Sequence, residues 1–245
     1  MILNLFAGPG GWCEGLRSVS SEHAVGIEWD AAACRTRRAA GHLTIRADVA
    51  AYPVEPFVGK VSGLIASPPC PDFSAAGKRA GVNGTSGHLI FEVMRWALAI
   101  RPSWIACEQV PEVLPWWRRF AQQLRDEAGY KTWAGILCAA DYGVPQERYR
   151  AFLLAHADRQ PEPPAPTHAE HPAESFFGPA LAPWVSMAEG LGWGMTERPY
   201  VTVTTGGAAS GGADRMLVGG SGARRTVERE RESRWLPKDS RPGHD

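Results

Sequence analysis

The feature that most constrains this chain is the alternation of short apolar runs with amphipathic stretches over residues 1–155. This alternation is typical of an α/β domain in which helices cover both faces of a mostly parallel sheet. It predicts a clear helix over residues 88–100, which Pro102 ends. It also predicts strands at 2–6, 23–28, 43–46, 61–67, 103–108, 132–139 and 150–156.

The texture of the sequence changes after residue 156. Prolines crowd residues 161–183, and proline lacks the amide proton that a helix needs. Glycine and small residues dominate 206–222. The pattern predicts a folded domain over residues 1–157 and a Pro- and Gly-rich region over 158–245 that is extended and partly disordered.

Charge and cysteine content exclude several classes of protein. Lysine plus arginine and aspartate plus glutamate both total 26, so any nucleic acid must bind a local basic patch instead of a global basic field. The five cysteines stand singly with no C-x-x-C pair, which argues against a disulfide framework and a zinc ribbon and predicts no metal. The sequence contains no secretory signal and no run of about eighteen apolar residues, so we expect a cytoplasmic protein without a membrane partner.

A glycine-rich turn follows the first predicted strand. It reads Phe6-Ala7-Gly8-Pro9-Gly10-Gly11-Trp12, and its glycines let the backbone approach a ligand closely at the start of a helix. The dinucleotide fingerprint G-x-G-x-x-G fails, because Cys13 stands at the third glycine position and Trp12 would crowd a pyrophosphate. The turn indicates either a nucleotide-like ligand or a purely structural turn.

Acidic residues follow the second and third predicted strands. Glu28 ends the second strand, where a carboxylate can bind ribose hydroxyls, and Trp29 beside it can stack on an adenine. Asp48 follows the third strand and can accept a hydrogen bond from an exocyclic amine. Taken singly, such residues are more often ordinary surface acids. Because they converge with the glycine turn on one edge of the sheet, they predict an adenosine ligand without a pyrophosphate.

The fourth predicted strand leads into a cysteine that is flanked by prolines. Cys70 stands in Ser67-Pro68-Pro69-Cys70-Pro71, at the edge where open α/β folds bind ligands. A single cysteine is usually a small buried hydrophobe. The prolines and the following Lys78 and Arg79 favour an exposed nucleophile instead, and the glycine-rich residues 77–87 have room to act as a lid.

The fifth strand and the last strand bring further charged groups to the same region. Glu108 comes at the end of the fifth strand, where it either caps a helix or donates a proton or hydrogen bond to a ring nitrogen. Arg148 and Arg150 stand at alternate positions at the start of the last strand, so their side chains are expected to point the same way. Arginines of this kind hold carboxylates, phosphates or a base oxygen.

These motifs together resemble the DNA cytosine-5 methyltransferase family. The Phe-Ala-Gly-x-Gly-Gly turn, Pro-Pro-Cys, Glu-x-Val and Gln-x-Arg-x-Arg occur in family order and at family-like spacing. The resemblance is strong over residues 1–156 and weaker through Pro166-Thr167-His168, Leu191-Gly192-Trp193 and Thr202-Val203-Thr204. It implies a Rossmann-like S-adenosylmethionine-dependent fold, a mostly parallel sheet with an antiparallel edge hairpin, and a partial target-recognition region after residue 157.

The resemblance also implies a reaction and a set of site residues. Cys70 would add to C6 of a cytosine flipped out of double-stranded DNA, Glu108 would engage N3, and Arg148 and Arg150 would orient the base and the active-site loop. The enzyme would act in bacterial or phage-encoded host protection, as in restriction-modification. The positions that match S-adenosylmethionine-binding residues are Phe6, Ala7, Gly8, Gly10, Gly11, Glu28, Trp29, Asp48, Pro69 and Leu89.

The sequence departs from the family pattern in ways that leave alternatives open. Gln109 stands for the usual Asn of Glu-Asn-Val, and Asn4 for the usual leading Asp of the first motif. The carboxyl-terminal Gly-Asn-x-Val-x-Pro motif, which completes the cofactor site in the family, is not found in the sequence. One alternative is therefore a truncated or split homologue that binds cofactor or DNA and needs a complementing chain for activity. Another is an RNA cytosine-5 methyltransferase of the DNA-like type.

Overall fold

A computed structural model describes residues 1–69, 86–172, 180–190 and 200–201. Cys70 and most of the predicted lid at 77–87 lie outside the described residues, as does most of the region after residue 190. The chain divides into two compact units. The first comprises Met1–Ile136 and Arg150–Pro163, and the second comprises Leu137–Tyr149 and Pro164–Asp245.

A seven-stranded sheet organises the first unit, with the strand order β3-β2-β1-β4-β5-β8-β6. Strands β1 to β5 pair in parallel, and β8 runs antiparallel to β5. The predicted α/β fold with an antiparallel edge is confirmed, and each predicted strand is present with ends that differ by a residue or two. The strands to residue 156 are β1 (Ile2–Leu5), β2 (Ala24–Glu28), β3 (Leu43–Arg46), β4 (Gly63–Ala66), β5 (Trp104–Gln109), β6 (Lys131–Cys138), β7 (Gln146–Glu147) and β8 (Tyr149–His156).

Helices connect the parallel strands. The side chain of Asp30 caps the second helix by accepting from the Ala33 amide at 2.7 Å, and Gly129 ends the fourth with a φ of 73°. The predicted helix at 88–100 is confirmed, with a short 3-10 turn, Gly87–Leu89, before its α-helical part. The helices are α1 (Gly11–Arg17), α2 (Ala31–Ala39), α3 (Ile90–Ile100) and α4 (Leu114–Ala128).

The two faces of the sheet differ in what covers them. On the face that we call the first face, alternate strand residues such as Leu3, Leu64 and Leu153 pack against α3 and α4 in one large apolar core. Successive strand residues point to opposite faces, so their neighbours form a second face. There the apolar cluster is small, centred on Ile2 and Ile65, and helix α1 contributes half-buried side chains to it.

The second unit consists of short elements among the described residues. The indole of Trp184 donates to Asp141 Oδ1 at 3.0 Å, and the hydroxyl of Tyr142 donates to the Pro164 carbonyl at 3.0 Å. The proline-rich residues 161–166 have no regular secondary structure. The remaining elements are β9 (His168–Ala169), β10 (Ala182–Pro183), α5 (Met187–Gly190) and β11 (Tyr200–Val201).

Candidate active site

The glycine turn between β1 and α1 adopts backbone that few side chains tolerate. Gly8 and Gly10 have φ values of 52° and 118°, and even Phe6 has a φ of 54°. A Cβ on Gly10 would also lie 2.7 Å from Cδ2 of His42. A non-glycine residue in the left-handed region is uncommon, and such residues cluster at functional sites.

The side chain of Glu28 links this turn to the start of α2 through two hydrogen bonds. One carboxylate oxygen accepts from the Gly8 amide at 2.8 Å and the other from the Asp30 amide at 2.8 Å, and the side chain is only 7% exposed. Each carboxylate oxygen has a second acceptor position. Glu28 can therefore hold the turn and still accept a hydroxyl from a ligand.

A cavity of about 700 Å³ opens beside Glu28. Trp29 lies at the wall of the cavity and is 74% exposed, and Asp48 adds a second carboxylate to the lining. Its size is within the range of about 300–1,000 Å³ of small-molecule sites, and an open aromatic ring with two carboxylates suits an adenosine. The lining residues are Phe6, Glu28, Trp29, Ala47, Asp48, Val49, Ser67, Pro69, Ser86, His88 and Leu89.

The cavity contains only part of the predicted cofactor set. Ala7, Gly8, Gly10 and Gly11 are not among the described residues that line it. Ala47 and Ser67 directly follow strands and Val49 lies three residues after β3, so these residues could have been inferred from that position. The sequence offered no such signal for Ser86 and His88. The predicted cofactor residues that line the cavity are Phe6, Glu28, Trp29, Asp48, Pro69 and Leu89.

A buried arginine that the sequence analysis missed supports the turn from the second face. Arg37 on α2 is fully buried and donates to the carbonyls of Ala7 at 3.1 Å and Leu43 at 3.4 Å, and to the hydroxyl of Thr44 at 3.2 Å. Gly26 makes room for it, since a Cβ there would lie 2.2 Å from the guanidinium. A glycine inside a strand marks such a close approach and was the available signal.

A second polar cluster lies at the ends of β4 and β5. Glu108 Oε1 is 3.0 Å from Arg150 Nε, and Glu108 Oε2 accepts from the Ser67 hydroxyl at 3.2 Å. Ser67 in turn accepts from the indole nitrogen of Trp12 at 2.9 Å. Both members of the Glu108–Arg150 pair are about four-fifths buried, with side-chain exposures of 22% and 19%. Because Ser67 also lines the cavity, this cluster borders the candidate cofactor site.

The predicted nucleophile itself lies outside the described residues, but its neighbour Pro69 lines the cavity. The other four cysteines are buried, and burial raises the pKa of the Cys107 thiol, which keeps it neutral. Arg148 lies between β7 and β8, and its carbonyl accepts from the Ala139 amide at 3.0 Å. Within the described ranges, no cluster of His, Cys, Asp and Glu could hold a metal, and no helix is long and apolar enough to cross a membrane.

Solved structures share this fold at low sequence identity. The Entamoeba histolytica methyltransferase EhMeth superposes with a TM-score of 0.57 at 15% identity, covering 70% of this chain and 57% of that one. The Schizosaccharomyces pombe Dnmt2 methyltransferase gives 0.55 at 20% identity, covering 66% and 52%. At these identities the likeness establishes the fold alone, which is that of a methyltransferase sheet.

Sequence relatives carry the assignment further. The chain is similar to the Type II methyltransferase M.AquIA of Picosynechococcus, with 27% identity across 78% of this chain and 87% of that protein. It is 32% identical to the Type II methyltransferase M.FnuDI of Fusobacterium nucleatum, but spans only 46% of that protein. The family model of C-5 cytosine-specific DNA methylases matches residues 1–179. This chain therefore belongs to the family of C-5 cytosine-specific DNA methylases.

Proposed function

We propose that this chain transfers a methyl group from S-adenosylmethionine to C5 of a cytosine flipped out of double-stranded DNA. The observation that carries the proposal is the continuity between the cavity and the Glu108–Arg150 pair, which Ser67 joins. A cofactor site and a group that can engage a base ring thus share one edge of the sheet. The Type II methyltransferase relatives support a role in restriction-modification.

The residues of the cavity fit the cofactor by their chemistry. Glu28 would accept the ribose hydroxyls, Trp29 would stack on the adenine, and Asp48 would accept from its exocyclic amine. Phe6 and Leu89 add apolar walls. Bound S-adenosylmethionine supplies an electrophilic methyl group.

Cys70 would perform the covalent step. Its thiolate adds to C6 of the cytosine, which makes C5 nucleophilic enough to take the methyl group. Methyl transfer leaves S-adenosylhomocysteine. A water molecule then takes the C5 proton, the electron pair of that bond restores the C5–C6 double bond, and the bond between sulfur and C6 breaks to release 5-methylcytosine and the Cys70 thiolate. Covalent catalysis divides one difficult substitution into easier steps.

Glu108 and Arg150 would hold the cytosine during this addition. Electron density moves into the ring when the thiolate adds, and a hydrogen bond between the Glu108 carboxyl group and N3 of the cytosine stabilises that change. The ion pair with Arg150 fixes the direction of the Glu108 carboxylate, while Arg148 would orient the base or the active-site loop. The target carbon is inaccessible in stacked duplex DNA, so the base must rotate out of the helix.

The test is expression in a bacterial host that lacks cytosine-5 methylation, followed by bisulfite sequencing of the genome. We expect protection of cytosines at a defined short motif by the wild-type chain and by Cys138→Ala, a matched control at a buried cysteine. Cys70→Ala should give none while remaining folded. Protection by Cys70→Ala, or no protection by soluble wild-type protein, would contradict the proposal.

A second candidate is a chain that binds cofactor or DNA but transfers methyl groups only with a complementing chain. Half-buried apolar side chains on the second face, among them Trp104, Phe152 and Leu154, favour it, because another chain could cover them. Calorimetry with S-adenosylmethionine separates the two candidates: micromolar binding by the chain alone indicates a self-sufficient site. Methyl transfer to transfer RNA and not to duplex DNA would instead indicate an RNA enzyme.

A further inference from the structure

We infer that Ser67 and Trp12 are positioning residues that set the orientation of the Glu108 carboxylate. The inference rests on the proposed function of Glu108 and deepens it. The three side chains form a line of hydrogen bonds, with 2.9 Å from Trp12 Nε1 to Ser67 Oγ and 3.2 Å from Ser67 Oγ to Glu108 Oε2. They come from three separate elements, namely α1, the end of β4 and β5.

The donor and acceptor chemistry of these groups fixes the direction of the line. An indole nitrogen can only donate, so the Ser67 oxygen must act as acceptor toward Trp12. The single hydroxyl proton of Ser67 is then left for Glu108 Oε2. Arg150 also has only donors, and it occupies Oε1. Each carboxylate oxygen therefore has a donor, and rotation of the Glu108 side chain would break both interactions.

Packing holds Trp12, the far end of the line, in place. Its ring meets that of Phe152 edge to face, with 6.4 Å between centroids, and packs with Leu16 against the small apolar cluster that contains Ile65. Because this packing already fixes the indole, the side chain loses little further conformational entropy when its N–H binds Ser67. Trp12 immediately follows Gly11, so the line also ties Glu108 to the glycine turn that borders the cavity.

The test compares steady-state methyl transfer to duplex DNA by Ser67→Ala and the wild type. Losing one hydrogen bond to a group that acts in the transition state should lower kcat about tenfold and leave KM for DNA and cofactor nearly unchanged. Ser67→Thr, which keeps the hydroxyl, should recover most of the rate. Trp12→Phe keeps the ring but loses the N–H, and should lower kcat about threefold.

The control is Ser62→Ala. Ser62 directly precedes β4, whereas Ser67 directly follows it, and the Ser62 hydroxyl donates to the Met1 carbonyl at 3.0 Å. It should leave kcat unchanged. Wild-type kcat in Ser67→Ala, or a loss that Ser67→Thr does not recover, would overturn the inference. A change confined to KM would also overturn it, because the role would then be cofactor binding.

A readout that does not depend on activity separates this inference from the proposed function. The indole N–H resonance of Trp12, assigned by its disappearance in Trp12→Phe, should move in Ser67→Ala. It should also move in Glu108→Gln, because Ser67 links Glu108 to Trp12. If the wild type transfers no methyl group but both variants move the resonance, the proposed function fails and the line of hydrogen bonds stands. A resonance that Glu108→Gln leaves in place overturns the inference.

Discussion

The two faces of the sheet differ in the kind of side chain that they bury. The first face carries apolar residues such as Leu64 and Ile105 and packs against α3 and α4 in one continuous core. The second face buries polar groups, including Asn4 and the guanidinium of Arg37, and ends in the Glu108 pair. Apolar burial supplies most of the stability of a fold, whereas buried polar groups require partners. We therefore expect the first face to determine folding and the second face to determine the chemistry.

The largest expected effect comes from opening the first face. Trp117 on α4 is fully buried, and its indole donates to the Ala151 carbonyl at 3.1 Å. Trp117→Ala should lower the free energy of unfolding by about 3–5 kcal/mol, as measured by denaturant titration. Its neighbour Trp116 is only partly buried, so Trp116→Ala should cost clearly less. Equal losses in the two variants would contradict the assignment of the core.

A smaller but two-part effect should follow from replacing the buried arginine of the second face. Arg37→Met keeps an unbranched apolar stem but removes the guanidinium that donates to the Ala7 and Leu43 carbonyls. We expect a loss of ~2 kcal/mol in unfolding free energy and about tenfold weaker S-adenosylmethionine binding by calorimetry, since the glycine turn is released. Arg38→Met, at an exposed neighbour, should change neither. Unchanged cofactor affinity in folded Arg37→Met would mean that the turn does not depend on Arg37.

A substitution at the cavity wall should change the affinity for S-adenosylmethionine without changing the stability of the fold. Trp29 is 74% exposed, so Trp29→Ala should leave the unfolding free energy within error. Loss of stacking on the adenine should weaken S-adenosylmethionine binding about tenfold, and Trp29→Phe should retain part of it. Calorimetry measures both variants. Full affinity in Trp29→Ala would remove Trp29 from the predicted cofactor set.

The smallest effect is a pH dependence that belongs to the first face. Burial raises the pKa of Tyr130, whose hydroxyl donates to the Pro102 carbonyl. Because the folded-state value is above the unfolded value, the stability that it contributes is complete below pH 10 and is lost as the pH rises through the folded-state value. Tyr130→Phe should therefore be less stable by about 1 kcal/mol at neutral pH and approach the wild type above pH 10. A difference in unfolding free energy between Tyr130→Phe and the wild type that stays constant from neutral pH to above pH 10 would contradict the raised pKa of Tyr130.

The sequence predicted the strands, because strands follow from local periodicity, and it predicted a ligand site at the carboxyl ends of the parallel strands, where the structure has a cavity. It also predicted that Glu28, Trp29 and Asp48 converge at this edge, since each ends a strand or follows one within two residues, and all three line the cavity. Partners on distant segments were not predictable. Ser67 and Glu108 are 41 residues apart and meet only through the pairing of β4 with β5. For Arg37 and Gly26, the glycine inside β2 signals a close approach, but which residue approaches it depends on how α2 packs on β2.

The most direct test of the account uses duplex DNA in which 5-fluorocytosine replaces the target cytosine. Fluorine at C5 cannot leave as a proton does, so a thiolate adduct at C6 persists after methyl transfer. We expect a covalent complex of wild-type protein and DNA that forms only with S-adenosylmethionine present. Digestion and mass spectrometry should locate the modification at Cys70. An adduct at another cysteine, or methyl transfer to normal DNA with no adduct on the fluorinated duplex, would contradict the mechanism.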